Sequence, residues 1–299
     1  MVVGVLLFAA AVGYLTWRFW RADGRYGFPG HGVVGLLLLG AGAGGILGQI
    51  DVVTIFVTPI VWTGYILTID AAIFRLKGRS LVKSAPPAFG WMALLSIPLW
   101  LVYEAYNLRL ENWRYVGLPQ NTALRGFGYL WSFATIWPAV LETAEFLRAT
   151  QFRGGPGRPV ALPARWLAVS GAILLLVPLL VPPAMGAYLF GLVWLGFAFL
   201  LDPLNYRARS PSILGDLERG DRARLWSLLL AGVICGFFWE FWNYWATAKW
   251  VYVFPMFQRA KIFEMPVPGY LGFPAFGVEV FAMYVYVARL LRVPYHEVG

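Results

Sequence analysis

Four glutamates, Glu104, Glu142, Glu240 and Glu279, interrupt long apolar runs of this 299-residue chain. A carboxylate in a bilayer core costs about 3 kcal/mol or more unless it is neutral, paired or facing a cavity, so each is a candidate catalytic residue by default. Glu104 and Asn107 stand at i and i+3, as do Glu240 and Asn243. On a helix each amide then shares a face with its carboxyl and can hydrogen-bond and orient it, or bind a ligand. A carboxyl that keeps its proton in a poorly solvated site is a general acid. The expected arrangement is a polar cluster of all four near one axis. Trp113 with Tyr115, and Trp250 with Tyr252, follow glutamate-bearing runs and are candidate substrate-binding residues, because ring faces stabilise positive charge. The plainer alternative is that the Glu and Asn side chains only pack helices together, at about 1 kcal/mol per interhelical bond.

Such residues need a scaffold, and the composition says of what kind. Hydrophobic residues make up 60% and charged residues 13%, where a soluble domain carries roughly a quarter charged. An aromatic content of 17% excludes a disordered chain. The class that remains is an all-α polytopic membrane protein. Nine apolar stretches can be read, at 2–16, 33–50, 53–72, 90–106, 126–147, 166–181, 184–201, 225–246 and 270–288, each near the length a bilayer requires. The first lacks a basic leader and reads as a retained helix rather than a signal peptide.

With nine crossings, eighteen of the 24 Lys and Arg fall on one side and six on the other. The positive-inside rule then puts the N-terminus outside and the C-terminus in the cytoplasm of a bacterial-type inner membrane. The net charge of +9 encodes orientation and faces anionic lipid, so no nucleic-acid partner is expected.

The chain also repeats itself. Trp62, Gly64, Asp70, Arg75 and Ser80 recur 132 positions later as Trp194, Gly196, Asp202, Arg207 and Ser212. Glu104 and Asn107 recur as Glu240 and Asn243, and Trp113, Tyr115 and Glu142 as Trp250, Tyr252 and Glu279. Matches of Trp, Asp, Glu and Asn mean more than matches of Leu, and they predict a duplication. Residues 1–52 supply two N-terminal helices, 53–148 the first three-helix copy, 149–183 a cytoplasmic linker and joining helix six, and 184–299 the second copy with a short tail. Helices three to five and seven to nine then run parallel, related by a pseudo-twofold axis along the membrane normal. No helix is expected to be broken at matching positions in both copies.

Other polar residues read as scaffold. Asp70 and Asp202, each five residues before an arginine, and Glu145 ahead of Arg148 are expected as interfacial ion pairs that fix helix ends. The aromatic run 237–245 reads as an interfacial belt or a pocket wall. The breaker-rich run 263–274 needs shelter at membrane depth. Gly40–Gly48 reads as small-residue packing, and Gly154-Gly-Pro-Gly-Arg158 as a flexible connection. One cysteine, Cys235, and two histidines, His31 and His296, lead us to expect no metal and no cofactor.

The duplicated three-helix unit, the joining helix, and the order Trp-x-Tyr, short loop, Ile262-Phe-Glu-Met-Pro266 before the last helix resemble the lycopene cyclase domain of carotenoid biosynthesis. The resemblance covers about residues 53–288. Where that family carries Pro-x-Glu-Glu, this chain has Pro266-Val-Pro-Gly269, with Glu264 before the proline. The resemblance implies a long isoprenoid substrate and redox-neutral protonation of an alkene by membrane carboxylates. The leading expectation is thus a protein that binds an isoprenoid-like or other lipid ligand between two copies, possessing metal-free acid–base chemistry of cyclase, isomerase or hydratase type if it is an enzyme. A proton- or ion-coupled transporter using the same carboxylates, and a structural or assembly subunit, stay open beside it.

Overall fold

The computed structural model describes residues 1–150 and 157–294; Arg153, residues 154–156 of the glycine-rich connection and His296 lie outside them. The chain runs α1 (Val2–Arg21), α2 (Gly30–Leu47), α3 (Asp51–Lys77), α4 (Leu81–Ser84), α5 (Pro86–Leu110), β1 (Trp113–Val116), α6 (Thr122–Ala134) and α7 (Ile136–Ala149). It continues through α8 (Ala164–Leu180), α9 (Pro183–Gly186), α10 (Phe190–Arg207), α11 (Ile213–Glu218), α12 (Ala223–Trp245), β2 (Lys249–Tyr252), β3 (Lys261–Ile262) and β4 (Met265–Pro266). A 3-10 turn, Val267–Leu271, then leads into α13 (Gly272–Leu291). Among the described residues, six helical segments are long and apolar enough to cross a membrane: Val2–Arg21, Gly30–Leu47, Asp51–Lys77, Pro86–Leu110, Ala223–Trp245 and Val267–Leu291. This fits a multi-pass, all-α membrane protein.

Lipid offers no hydrophobic drive for helices to associate, so close packing depends on small residues. Gly35 of α2 and Gly64 of α3 face each other so closely that a Cβ on either would lie 2.6 or 2.8 Å from the other's carbonyl oxygen. The same device joins α8 to α10, where a Cβ on Gly171 would lie 2.7 Å from the Gly196 carbonyl oxygen. Within Gly40–Gly48, Gly42 and Gly45 bear on Val61 and Val53 of α3. Helix α1 lies on α12, with the Phe8 ring stacked 3.7 Å from that of Phe241 and tilted against Phe238 at 5.2 Å.

The stretch 126–147 differs from expectation, being two helices, α6 and α7, that meet at Thr135. Pro138 is the third residue of α7, and Pro274 is the third residue of α13, which follows its own 3-10 turn. Proline has no N–H to give and suits only the first turn of a helix, so the two prolines, 136 positions apart, restart the chain at matching places. The expectation of no matching break is corrected by this pair. Ser96 of α5 repairs the first gap: its hydroxyl donates to the Phe133 carbonyl and accepts the Trp137 N–H at 3.1 Å.

The expected aspartate ion pairs are also corrected. Asp70, fully buried, accepts the Ser80 hydroxyl at 2.7 Å and the Val82 N–H at 2.8 Å, with His31 Nε2 2.8 Å away. Asp202 accepts the N–H groups of Ile213 and Leu214 at 2.8 and 2.9 Å. Each carboxylate therefore satisfies the free donors at the start of the next short helix, α4 or α11, a more demanding need than pairing a solvated arginine. Arg75 instead covers the Phe19 ring, 4.9 Å from its centroid. Glu145 does form an ion pair, with Lys77.

Ser96→Ala removes both bonds across the α6–α7 gap at a site with no exposure. It should cost about 1–3 kcal/mol, read as a lower melting temperature in detergent and largely rescued by Ser96→Thr. An unchanged melting temperature would show that the gap is held by other contacts.

Candidate functional site

Asn107 and Asn243 start the site, because they turn helices into strands. Asn107 Oδ1 accepts the N–H of Asn112 at 2.8 Å and of Trp113 at 3.1 Å, while Nδ2 donates to the Trp113 carbonyl at 2.8 Å. Asn243 Oδ1 accepts the Trp250 N–H at 3.0 Å, and its Nδ2 donates to the Trp250 carbonyl at 2.8 Å. An amide offers a donor and an acceptor side by side, as a neighbouring peptide would. The expectation that these amides orient the glutamates or a ligand is corrected: they hold backbone.

So anchored, β1 and β2 pair antiparallel, with Trp113 opposite Tyr252 and Tyr115 opposite Trp250. Exchanging Trp113 with Trp250 and Tyr115 with Tyr252 maps this ladder onto itself, the geometry of an isologous contact. The glutamates lie behind it. Glu104 Oε1 accepts Tyr115 OH at 2.6 Å, Trp100 Nε1 at 2.8 Å and Trp113 Nε1 at 3.3 Å. Glu240 Oε1 accepts Tyr252 OH at 2.8 Å, and that hydroxyl oxygen accepts Trp250 Nε1 at 3.0 Å. Burial, and next the adjacent carboxylates of Glu104 and Glu240, push the Tyr115 and Tyr252 hydroxyls well above the usual tyrosine range. Both therefore remain protonated donors at neutral pH.

In front of the ribbon is a cavity of about 510 Å³, within the span of small-molecule sites. Trp62, Trp100, Trp113, Tyr115, Tyr129 and Phe133 line it from the first half of the chain, and Trp194, Trp239, Trp250, Tyr252, Phe273 and Phe276 from the second. Leu124, Tyr188, Phe257 and Leu271 also line it while standing 50% to 79% exposed, which marks its open edge. The run 237–245 is thus divided: Phe238 and Trp242 are buried, Trp239 faces the cavity and Trp245 is exposed.

The four glutamates do not form the expected single cluster. Glu104 and Glu240 back the ribbon tyrosines. Glu279 lies one turn beyond the lining residue Phe276 and accepts the Phe197 N–H at 3.1 Å on Oε1, while Oε2 makes no hydrogen bond of normal geometry among the described residues. Glu142, fully buried in α7, has no hydrogen-bond partner on either oxygen among the described residues. Among the described residues, no three Asp, Glu, His or Cys side chains gather as a metal would require. Glu264 is held by Lys249 Nζ at 2.6 Å.

Sequence reading missed Trp100, Tyr129 and Arg125 as lining residues, while Trp239 belongs to the run 237–245 expected as a belt or a pocket wall. Trp100 was within reach, one turn before Glu104 on the same helix face; the others depend on which helices meet. Asn243→Ala leaves a half-buried N–H and carbonyl of Trp250 without their side-chain partner and should cost about 1–2 kcal/mol, read as a lower melting temperature and faster amide exchange at Trp250. Exchange at Trp250 no faster than in the parent would contradict the strand-anchoring role. Comparison with protein-family models, with curated proteins and with solved structures finds no match to this chain.

Proposed function

We propose that this chain is a nine-crossing membrane protein of two parallel repeats that binds one apolar ligand, isoprenoid-like or another lipid, in the aromatic cavity between them. The observation that carries this reading is the cavity itself: both halves contribute aromatic walls, and its open edge is apolar and exposed. Water is a poor occupant of such a wall, whereas a lipid tail matches it. The duplication is supported by the self-matching ribbon, the paired Asn anchors, the Asp caps and the matched prolines. It reaches one helix further than expected. Because α8 packs on α10 as α2 packs on α3, the repeated unit is α2, α3, α5 and α6–α7 against α8, α10, α12 and α13. A four-helix unit repeats in parallel without a joining helix. The eighteen-to-six distribution of Lys and Arg supports an N-terminus outside and a cytoplasmic C-terminus, which puts the ribbon and cavity on the outer side.

Acid–base chemistry is the activity in view. The Tyr115 and Tyr252 side chains line the cavity, and their hydroxyls bond the Glu104 and Glu240 carboxyls. In this reading an alkene takes the proton of the Tyr115 or Tyr252 hydroxyl, that oxygen takes the proton of a protonated Glu104 or Glu240 carboxyl, and the proton lost from the resulting cation, or from water added to it, returns the site to its starting state; Trp113 and Trp250 stabilise the cation. No net redox change is involved, and cyclisation, isomerisation and hydration all share this first step.

Native extraction followed by mass spectrometry of co-purified lipid tests the reading. A polyene or polyprenyl species is expected in the parent. Glu104→Gln with Glu240→Gln should retain that ligand and abolish its conversion. An empty protein from its native membrane would overturn the proposal. A transporter is the second reading, favoured by the matched breaks at Thr135 and Gly272 above the buried Glu142 and Glu279. Proteoliposome proton or solute flux that is lost in Glu142→Gln and Glu279→Gln would select it.

A further inference from the structure

The cavity wall is apolar but not uncharged. Among the described residues, two cations line it, Arg125 and Lys249, and no carboxylate does. Lys249 is already neutralised by Glu264 at 2.6 Å. Arg125 is different: half-buried on the first turns of α6, it has no acidic partner among the described residues. It follows the exposed lining residue Leu124, which places it where the wall meets the open edge. A guanidinium against aromatic walls gains most from an oxyanion that can bond it in bidentate fashion. A cationic ligand would meet Arg125 head-on, and an uncharged hydrocarbon would leave it without a counter-ion.

The half-helices add to this bias. Helices α7 and α13 both begin beside the cavity, since Ile136 and Gly272 line it. The N-terminal end of a helix carries partial positive charge. From the second half of the chain the cation on the wall is Lys249, which Glu264 already holds. The lining cation without an acidic partner among the described residues therefore stands at one side, which suits a ligand with one charged end and one apolar tail.

Resting on the apolar-ligand reading above, we propose that the cavity binds an anionic single-chain amphiphile, with a phosphate or carboxylate headgroup held by Arg125 and its tail among the rings. This excludes a plain hydrocarbon as the preferred ligand. The anion sits at the open edge, so the head enters last or stays in contact with water.

The test uses quenching of intrinsic tryptophan fluorescence in the purified full-length protein in a neutral detergent. The probes are geranylgeranyl phosphate, geranylgeraniol, geranylgeranylamine and inorganic phosphate. The phosphate amphiphile is expected to bind at least about tenfold more tightly than the alcohol, a difference of about 1.4 kcal/mol, and the amine more weakly than the alcohol. Arg125→Gln should bring phosphate and alcohol to within about twofold of each other while alcohol binding stays as in the parent, a comparison that also shows the variant is folded. Equal binding of alcohol and phosphate by the parent, or a preference that survives Arg125→Gln, overturns the anionic headgroup and leaves the apolar-ligand reading standing. Inorganic phosphate that saturates the site without a tail overturns the amphiphile in favour of a free anion. Saturable binding of none of the four overturns both.

Discussion

A backbone N–H or carbonyl without a partner inside a bilayer costs several kcal/mol, and this constraint accounts for most of the polar residues in the chain. At several places where a helix stops or restarts, a short polar side chain stands in for the missing peptide. Ser96 spans the gap between α6 and α7, Asn107 and Asn243 hold Trp113 and Trp250 of the ribbon strands, and Asp70 and Asp202 cap the short helices at the other end. These five residues let a helical bundle carry two breaks and a ribbon. The breaks and the ribbon in turn create the cavity, since straight helices packed through glycine would leave no such space.

The glutamates enter the same scheme one layer further out. Glu104 and Glu240 bond side chains, and through Tyr115 and Tyr252 they fix the rings that face the cavity. These tyrosine hydroxyls, with the Trp100 and Trp113 N–H groups on Glu104, link the two carboxyls to the residues of the cavity wall. Glu142 and Glu279 have the opposite character, being fully buried with carboxyl oxygens left over after packing. The same residue type, matched in sequence, thus serves two different purposes at two depths of the bundle.

Much of the scaffold was legible in the sequence because it is dictated by one-dimensional signals. Six of the apolar stretches fall on helical segments long and apolar enough to cross a membrane, while 126–147 and 184–201 are each divided between two helices, and Trp113, Tyr115, Trp250 and Tyr252 come together in one ribbon. The signals that misled were those in which two partners compete for one group. Asp70 precedes Arg75 in the chain, yet a buried peptide N–H has the stronger claim on it. Asn107 shares a helix face with Glu104, yet strand β1 returns to it first. The matched prolines, Pro138 and Pro274, were visible as a Trp-Pro and a Phe-Pro 136 positions apart, and their meaning is local: a helix restarts there. What could not be read is the rest of the wall: Trp100, Tyr129 and Arg125 meet only where α5 packs on α6, and the facing rings arrive through the contact of the two halves.

That contact is the account's central claim, and the register of the ribbon measures it directly. Cysteines introduced as Arg114→Cys and Val251→Cys sit opposite each other across β1 and β2, and the native Cys235 is buried in α12 away from them. Mild oxidation of the full-length double variant in membranes should give an intramolecular crosslink, while Arg114→Cys paired with Val253→Cys, two residues out of register, should give little. Efficient crosslinking of the second pair with none of the first would contradict the ribbon and the cavity it closes.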